Sequence, residues 1–275
     1  MQRPSGYKGK WCTAVFFCLS AFISTQVFAA TVKVGGTGAA VGTMRLLGKA
    51  FERAQRHHTV KVYDSLGTGG GIKALLGKRL DIAVASRDIK AAEAESGLAA
   101  HKYGTSAFVF ISHPKTETLQ LTPAKIADIY SDQFASWSNG APLRLVLRPL
   151  GDFDTRQLIR ISGDIEVAVA AAHARKGMIM AMTDTAAADQ VELTPGAFTT
   201  STLAIILSEG RHVTMHPVDG VLPSMESLVD GSYPHTKDLY LVTASQPSEA
   251  VRQFAAFVRS AQGADILRTT GHKID

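Results

Sequence analysis

Apolar residues in the first third of the chain alternate between the spacing of a strand and that of an amphipathic helix. Residues 31–34 form a short apolar run, and residues 44–54 then repeat apolar side chains at helical spacing. The same succession of strand, glycine-rich or polar turn and helix follows the strands predicted at 60–63 and 81–85. Three such units in a row predict an α/β fold with an open sheet.

The pattern changes in the middle of the chain and then returns. A longer apolar strand at 107–113 leaves the first unit, and Thr122 followed by Pro123 predicts the start of a helix. A strand at 143–147 leads into the polar loop RPLGDFDT. The segment from Ser232 onward reads as a crossing back to the first unit. We therefore expect two α/β units, the second inserted into the first.

The N-terminus has the pattern of an export signal. Arg3, Lys8 and Lys10 precede an apolar stretch of about fourteen residues, which is shorter than a membrane span. Small residues then predict cleavage after Ala29 or Ala30, so residues 1–30 are expected to be a signal peptide and the mature chain to be free of the membrane. A single membrane anchor is the alternative.

Composition and charge argue against a disulfide-dependent protein and against a nucleic-acid-binding protein. With 45% hydrophobic and 19% charged residues, the chain is of ordinary globular composition. Both cysteines lie in the predicted leader, so the mature chain needs no disulfide. The leader also carries three of the 29 basic residues and no acidic one, which lowers the formal net charge from +5 to +2. No basic run remains that would indicate nucleic-acid binding.

Four loops share a composition that suits an anion. Each follows a predicted strand and is rich in Gly, Thr, Ser or Arg. Glycine lets the backbone approach a ligand, and amides at a helix start favour negative charge. Hydroxyl groups add donors, and Arg148 offers a planar fork for an oxyanion. If the loops converge, they would form an oxyanion site.

Catalytic and metal motifs are weaker. The chain has no G-x-S-x-G elbow, and His212 and His216 lie in a predicted strand, where side chains four residues apart are too distant to chelate. The carboxylates of Asp152, Asp154, Asp184 and Asp189 permit acid–base pairs, but their spacing does not require one. We expect no catalytic residue, no cofactor and no metal, with a phosphoester hydrolase that uses the Asp152/Asp154 loop as the alternative.

The stretch SLGTGGGIKALLGKRLDIAVASRDI resembles the signature segment of the periplasmic phosphate-binding proteins that serve ABC importers. Five further segments fit the same family in the same order: GGTGAAVGTMRLL, RPLGDFDT, TPGAF, DGVLPS and GSYPHTKDLYLVT. The resemblance implies the type II periplasmic-binding-protein fold, in which two lobes, each a mixed sheet flanked by helices, are joined by two crossing strands. After the leader, the first lobe would comprise residues 31–110 and 233–275, and the second lobe residues 111–232.

The resemblance also implies a function and a site. The protein would be a periplasmic binding protein rather than an enzyme, would close its lobes on inorganic phosphate or a similar oxyanion, and would serve an ABC importer permease or a sensor. The ligand-binding residues it implies are Thr37, Gly38, Ala39, Thr68, Gly69, Ser86, Arg87, Arg148, Asp154 and Thr155.

Two positions depart from the family pattern. Arg87 stands where phosphate binders usually have an aspartate that accepts the proton of the ligand, and Phe153 stands where a small hydroxyl residue is common. Sulfate, molybdate or a small carboxylate are therefore alternative ligands. A sensor or structural protein that has lost binding is a further alternative.

Overall fold

The computed structural model describes residues 1, 2, 6 and 29–274. Nearly all of the predicted signal peptide lies outside these residues, so its cleavage stays a prediction. In the part of the chain that is described, no helix combines the length and the apolar character needed to cross a membrane.

The described residues form nine strands. They are β1 (Ala30–Gly36), β2 (His58–Val62), β3 (Ile82–Ala85), β4 (Leu98–Ser112), β5 (Arg144–Leu147), β6 (Ile179–Met180), β7 (Ala197–Thr202), β8 (Thr214–His216) and β9 (Thr236–Ala244).

Eleven α-helices lie between and after these strands in the described residues. They are α1 (Val41–Ala54), α2 (Gly67–Leu76), α3 (Ala91–Glu95), α4 (Pro123–Tyr130), α5 (Phe153–Ile159), α6 (Gly163–Ala174), α7 (Asp184–Leu193), α8 (Leu203–Glu209), α9 (Met225–Val229), α10 (Glu249–Val258) and α11 (Ala261–Thr269). A short 3-10 helix, Gly38–Ala40, precedes α1.

The strands join in the order β2-β1-β3-β9-β4-β7-β5-β6, and β8 pairs with β4. Pairing is parallel among β1, β2 and β3 and among β5, β6 and β7. It is antiparallel wherever β4 or β9 takes part. The prediction of a mixed α/β fold is confirmed.

Strands β4 and β9 connect the two parallel groups. The 15-residue β4 pairs with β9 from Leu98 to Ala107 and then with β7 from Phe108 to Ser112. The predicted strand at 107–113 is thus the second part of a longer one. Its first part escaped prediction because residues 98–104 mix exposed and buried positions with no regular alternation.

The hydrophobic core divides in the same way. One large cluster is built from residues between 107 and 233 and includes the fully buried Phe108, Ile126 and Phe198. Another combines residues 32–103 with residues 239–267 from the C-terminal return, and Ala188 and Ile205 also pack into it. The predicted boundaries of the two lobes, and any movement between them, remain predictions.

Two glycines let the start of α2 lie against the end of β1. A Cβ on Gly71 would be 2.6 Å from the Cα of Gly36. Gly36 itself has φ +142°, and a Cβ there would be 2.1 Å from the carbonyl oxygen of Val84. Helix α2 begins at Gly67, three residues before its predicted start near Gly70. The glycine-rich loop of the sequence is therefore largely the first turn of a helix.

Candidate functional site

Three loops of the first parallel group meet at the carboxyl ends of their strands. Thr37 follows β1, Thr68 lies in the first turn of α2, and Ser86 follows β3. The Ser86 hydroxyl donates to Thr37 Oγ1 at 2.8 Å, and the Ser86 amide donates to Thr68 Oγ1 at 2.9 Å. We call residues 37–39, 67–69 and 86 the hydroxyl wall. None of these residues is charged, and hydrogen bonds to the hydroxyl groups of Thr37 and Thr68 connect its three segments.

Facing it is a set of charged side chains that we call the charged cluster. Its members are Arg148 after β5, Asp152 and Asp154 at the start of α5, Asp184 at the start of α7, and Lys237 on β9. Asp152 is the N-cap of α5 and accepts from the Asp154 amide at 3.0 Å. Four of the five side chains are almost fully buried, and Asp152 is 19% exposed.

A cavity of about 390 Å³ lies between the hydroxyl wall and the charged cluster. Thr68, Gly69 and Ser86 line it on one side, and Asp152, Asp184 and Lys237 line it on the other. Leu66, Pro149, Phe153 and Met182 add an apolar portion, and Lys90 and Arg156 add positive charge.

Ion pairs connect the members of the charged cluster. Arg148 Nη2 lies 2.9 Å from Asp152 Oδ1 and 3.5 Å from Asp184 Oδ1. Lys237 Nζ forms an ion pair with Asp154 Oδ1 and lies 3.6 Å from Asp184 Oδ1. Three carboxylates therefore share two cations. The buried Nε of Arg148 has no hydrogen-bond acceptor among the described residues.

Because the cluster has one more carboxylate than it has cations, the pKa values of Asp154 and Asp184 shift in opposite directions. Burial raises the pKa of Asp154 to about 7, against the attraction of Lys237, and the charges of Asp184 and Asp152 act in the same direction as burial. Burial would also raise the pKa of Asp184, but Lys237 and Arg148 together hold it below its ordinary value. One proton on Asp154 makes the cluster neutral.

Asp184 joins the cluster to the hydroxyl wall. Its Oδ2 accepts from the Thr37 hydroxyl at 3.1 Å and from the Ala39 amide at 3.3 Å. Its Oδ1 faces Arg148 and Lys237. One carboxylate thus contacts both sides of the cavity.

The ten residues predicted for the site come together here in two layers. Thr37, Thr68, Gly69, Ser86 and Arg87 line the cavity. Gly38, Ala39, Arg148, Asp154 and Thr155 are buried behind this lining. The Thr155 hydroxyl donates to the Arg148 carbonyl at 3.2 Å, and so fixes the loop that carries the arginine. Their roles in binding remain predictions.

Arg87 is held by a neighbouring acid. Its Nη1 and Nη2 each lie 2.8 Å from one oxygen of Glu93, and Nη1 also donates to the Asp88 carbonyl. The hydrogen bonds of Arg87 lower the pKa of Glu93 to about 2. The guanidinium therefore lines the cavity as one half of an ion pair.

The sequence analysis does not predict Lys237 as a site residue, and it includes Asp184 only among the carboxylates that permit an acid–base pair. Lys237 occupies the same face of β9 as Leu239 and Leu241, which are both buried. A period of two therefore marks it as an inward-pointing lysine. Asp184 follows the two-residue β6, too short for a sequence pattern to indicate.

Neither candidate metal group has the surroundings of a metal site. Oxygens of Asp152, Asp154 and Asp184 lie within 4.8 Å of one another, but Arg148 and Lys237 already occupy these oxygens and would repel a cation. His216, on β8, uses both ring nitrogens in hydrogen bonds within the protein: Nε2 lies 2.8 Å from Oγ of Ser112 on β4, and Nδ1 accepts from the Leu119 amide at 3.0 Å.

Comparison with known proteins identifies the class. The model of the PBP superfamily domain matches residues 24–262, and the chain belongs to this family. A curated relative, the phosphate-binding protein PstS of Borreliella burgdorferi, is 22% identical over 223 residues, which is 78% of this chain and 80% of that protein. The resemblance noted in the sequence is confirmed.

Solved structures agree on the fold. One, from Clostridium perfringens and described as a phosphate ABC transporter substrate-binding protein with bound phosphate, has a TM-score of 0.74 at 22% identity, covering 89% of this chain and 99% of that one. The periplasmic molybdate-binding protein of Azotobacter vinelandii has a TM-score of 0.62 at 16% identity, covering 89% and 99%. The fold is that of the type II periplasmic binding proteins.

Proposed function

We propose that this protein is an exported solute-binding protein that captures an inorganic oxyanion, most readily phosphate, for ABC-type import or for sensing. The observation that carries the proposal is the buried Arg148, whose Nε lacks an acceptor and which lies beside a cavity lined by Thr68, Gly69 and Ser86. Neutral hydroxyl and amide donors in the lining, with an arginine beside the cavity, suit a desolvated oxyanion.

Capture would proceed by closure of two lobes. The first lobe, residues 31–110 and 233–275, contributes the hydroxyl wall, and the second, residues 111–232, contributes Arg148, Asp154 and Thr155. Strands β4 and β9 run between the two parallel groups and are the natural hinge. The phosphate named in the descriptions of relatives from Borreliella and Clostridium supports the choice of ligand.

Export through a cleaved leader would place the mature chain in the periplasm. The basic start, the short apolar run and the small residues at Ala29 and Ala30 support this location. N-terminal sequencing of the secreted protein would test it, and a mature protein that begins at Met1 would contradict it.

Another oxyanion is the second candidate. Arg87 occupies the position of the proton-accepting aspartate of phosphate binders, and it lies in the cavity lining together with Lys90 and Arg156. An arginine at that position suits a fully ionised anion, and one structural relative is described as molybdate-binding. Hydrolysis of phosphoesters has less support, since Asp152 caps α5 and pairs with Arg148.

A thermal-shift panel tests the proposal directly. The unfolding temperature of mature protein freed of bound anion is measured alone and then in the presence of phosphate, arsenate, sulfate, molybdate, nitrate or small carboxylates. Ligand at a hundred times its Kd adds about 2.7 kcal/mol, which corresponds to a rise of about 5–11 °C for a chain of this size. A rise with phosphate and arsenate supports the proposal, a rise with another anion favours the second candidate, and no rise overturns both.

A further inference from the structure

The donors expected to bind the solute are already bonded within the protein. Thr37 Oγ1 and the Ala39 amide donate to Asp184 Oδ2, and Arg148 Nη2 lies 3.5 Å from Asp184 Oδ1. Thr37, Ala39 and Arg148 are three of the residues that the family resemblance assigns to the ligand. The Asp184 carboxylate therefore lies where an oxyanion would collect these same groups.

Asp184 packs closely against the loop that contains Gly38. A Cβ on Gly38 would lie 2.8 Å from the Cβ of Asp184, so the start of α7 can approach this loop only because a glycine is present. Helix α7 does not need the carboxylate as a cap, because the Thr183 side chain accepts from the Ala186 amide. The Asp184 side chain is left for contacts across the cavity.

We infer that Asp184 acts as an internal anion that competes with the solute for Thr37, Ala39 and Arg148, and so sets the affinity of the site. This inference rests on the proposed function. In the unliganded protein the carboxylate satisfies these buried donors. When an oxyanion enters, Asp184 must give them up, and its negative charge also repels the incoming ligand.

Replacement of Asp184 by an uncharged side chain tests this role. We expect Asp184→Asn and Asp184→Ser to bind the inorganic anion at least tenfold more tightly than the wild type, measured by isothermal titration calorimetry with phosphate, sulfate and molybdate. The matched control is Asp164→Asn, which removes the charge of an exposed carboxylate in the first turn of α6. Its affinity should equal that of the wild type.

The outcomes separate the inference from the proposed function. Tighter binding by the Asp184 variants, including binding that the wild type lacks, supports both. If the wild type binds the anion as tightly as the folded Asp184 variants, or more tightly, the inference is overturned and the proposed function stays intact. Absence of binding to all three anions by the wild type and the variants overturns both.

If the Asp184 variants do not fold, a structure of the wild type with the bound anion tests the inference instead. We expect the bound anion to lie within hydrogen-bond distance of Thr37 Oγ1 and the Ala39 amide, with the Asp184 carboxylate moved away from both. An anion bound in the cavity while both of these hydrogen bonds to Asp184 persist would overturn the inference.

Discussion

The hydroxyl wall and the charged cluster face the same cavity, but their internal contacts are of different kinds. Ser86, Thr37 and Thr68 bond to one another as neutral groups over short loops that follow strands. Arg148, Lys237 and the three aspartates come from four separate elements and balance one another by charge. Neutral hydrogen bonds tolerate the loss of one partner better than buried ion pairs do.

Because of this difference, we expect the two sides of the cavity to respond differently when a bonding partner changes. The hydroxyl wall can exchange an internal partner for an external one with little change in charge. The charged cluster can do so only with a change in its charge balance, because four of its five members are almost fully buried and a change at one alters the balance of all. We therefore expect substitutions in the charged cluster to affect stability most and those in the hydroxyl wall to affect local geometry.

The largest effect is expected at Lys237. Lys237→Met keeps most of the side-chain volume but leaves Asp154 and Asp184 without their shared cation, which should lower the free energy of unfolding by about 3–5 kcal/mol. Urea denaturation measures the loss. The double variant Lys237→Met/Asp154→Asn removes one orphaned carboxylate and should lose less than the single variant. A single variant within about 1 kcal/mol of wild type would contradict the account of the cluster.

The next largest effect is expected in anion affinity, where the replacement of Arg148 and the replacement of Arg87 should differ. Arg148→Ala should weaken anion binding by about tenfold to about 150-fold, since a hydrogen bond to a charged group contributes about 1.5–3 kcal/mol. Arg87→Ala should change it less than threefold, because the guanidinium is paired with Glu93. Calorimetric titration of both, after circular dichroism has confirmed folding, makes the comparison. Equal losses would show that Arg87 also binds the solute.

A smaller effect is expected from the packing behind the hydroxyl wall. In Gly71→Ala the new Cβ would meet the Cα of Gly36 at 2.6 Å, and overpacking of this kind costs about 1–3 kcal/mol. Gly69→Ala is the matched control on the same helix, where a Cβ meets nothing within 4 Å. It should be neutral or slightly stabilising, as alanine favours the helix. Thermal unfolding of both distinguishes close packing from a general effect of glycine.

The sequence predicts the hydroxyl wall better than the charged cluster, for a physical reason. Loops that follow strands of one sheet meet at one edge, so local patterns suffice to bring Thr37, Thr68 and Ser86 together. The contact between Thr37 and Asp184 spans 147 positions, and nothing local indicates it. The pairing of Arg87 with Glu93, six residues away, was open to prediction but depends on how α3 begins.

The most gradual predicted effect is a dependence of stability on pH that comes from Asp154. Its pKa is about 7 in the folded protein, whereas an unfolded aspartate titrates near 3.9. Between these values the folded state binds the extra proton, so the contribution of Asp154 to stability falls as the pH rises from about 4 to about 7. Asp184, whose pKa is lowered, acts in the opposite sense and at lower pH, where its contribution is lost as the pH falls.

Urea denaturation between pH 4 and 8 measures this dependence in wild type and in Asp154→Asn. The difference in unfolding free energy between the two should change steadily across the window, in favour of the variant as the pH rises, because asparagine cannot ionise beside Asp184 and Asp152. Asp189→Asn, on the exposed side of α7, is the control and should run parallel to the wild type. A constant difference for Asp154→Asn would mean that Lys237 alone keeps Asp154 ionised, and that the cluster carries a net negative charge towards the solute.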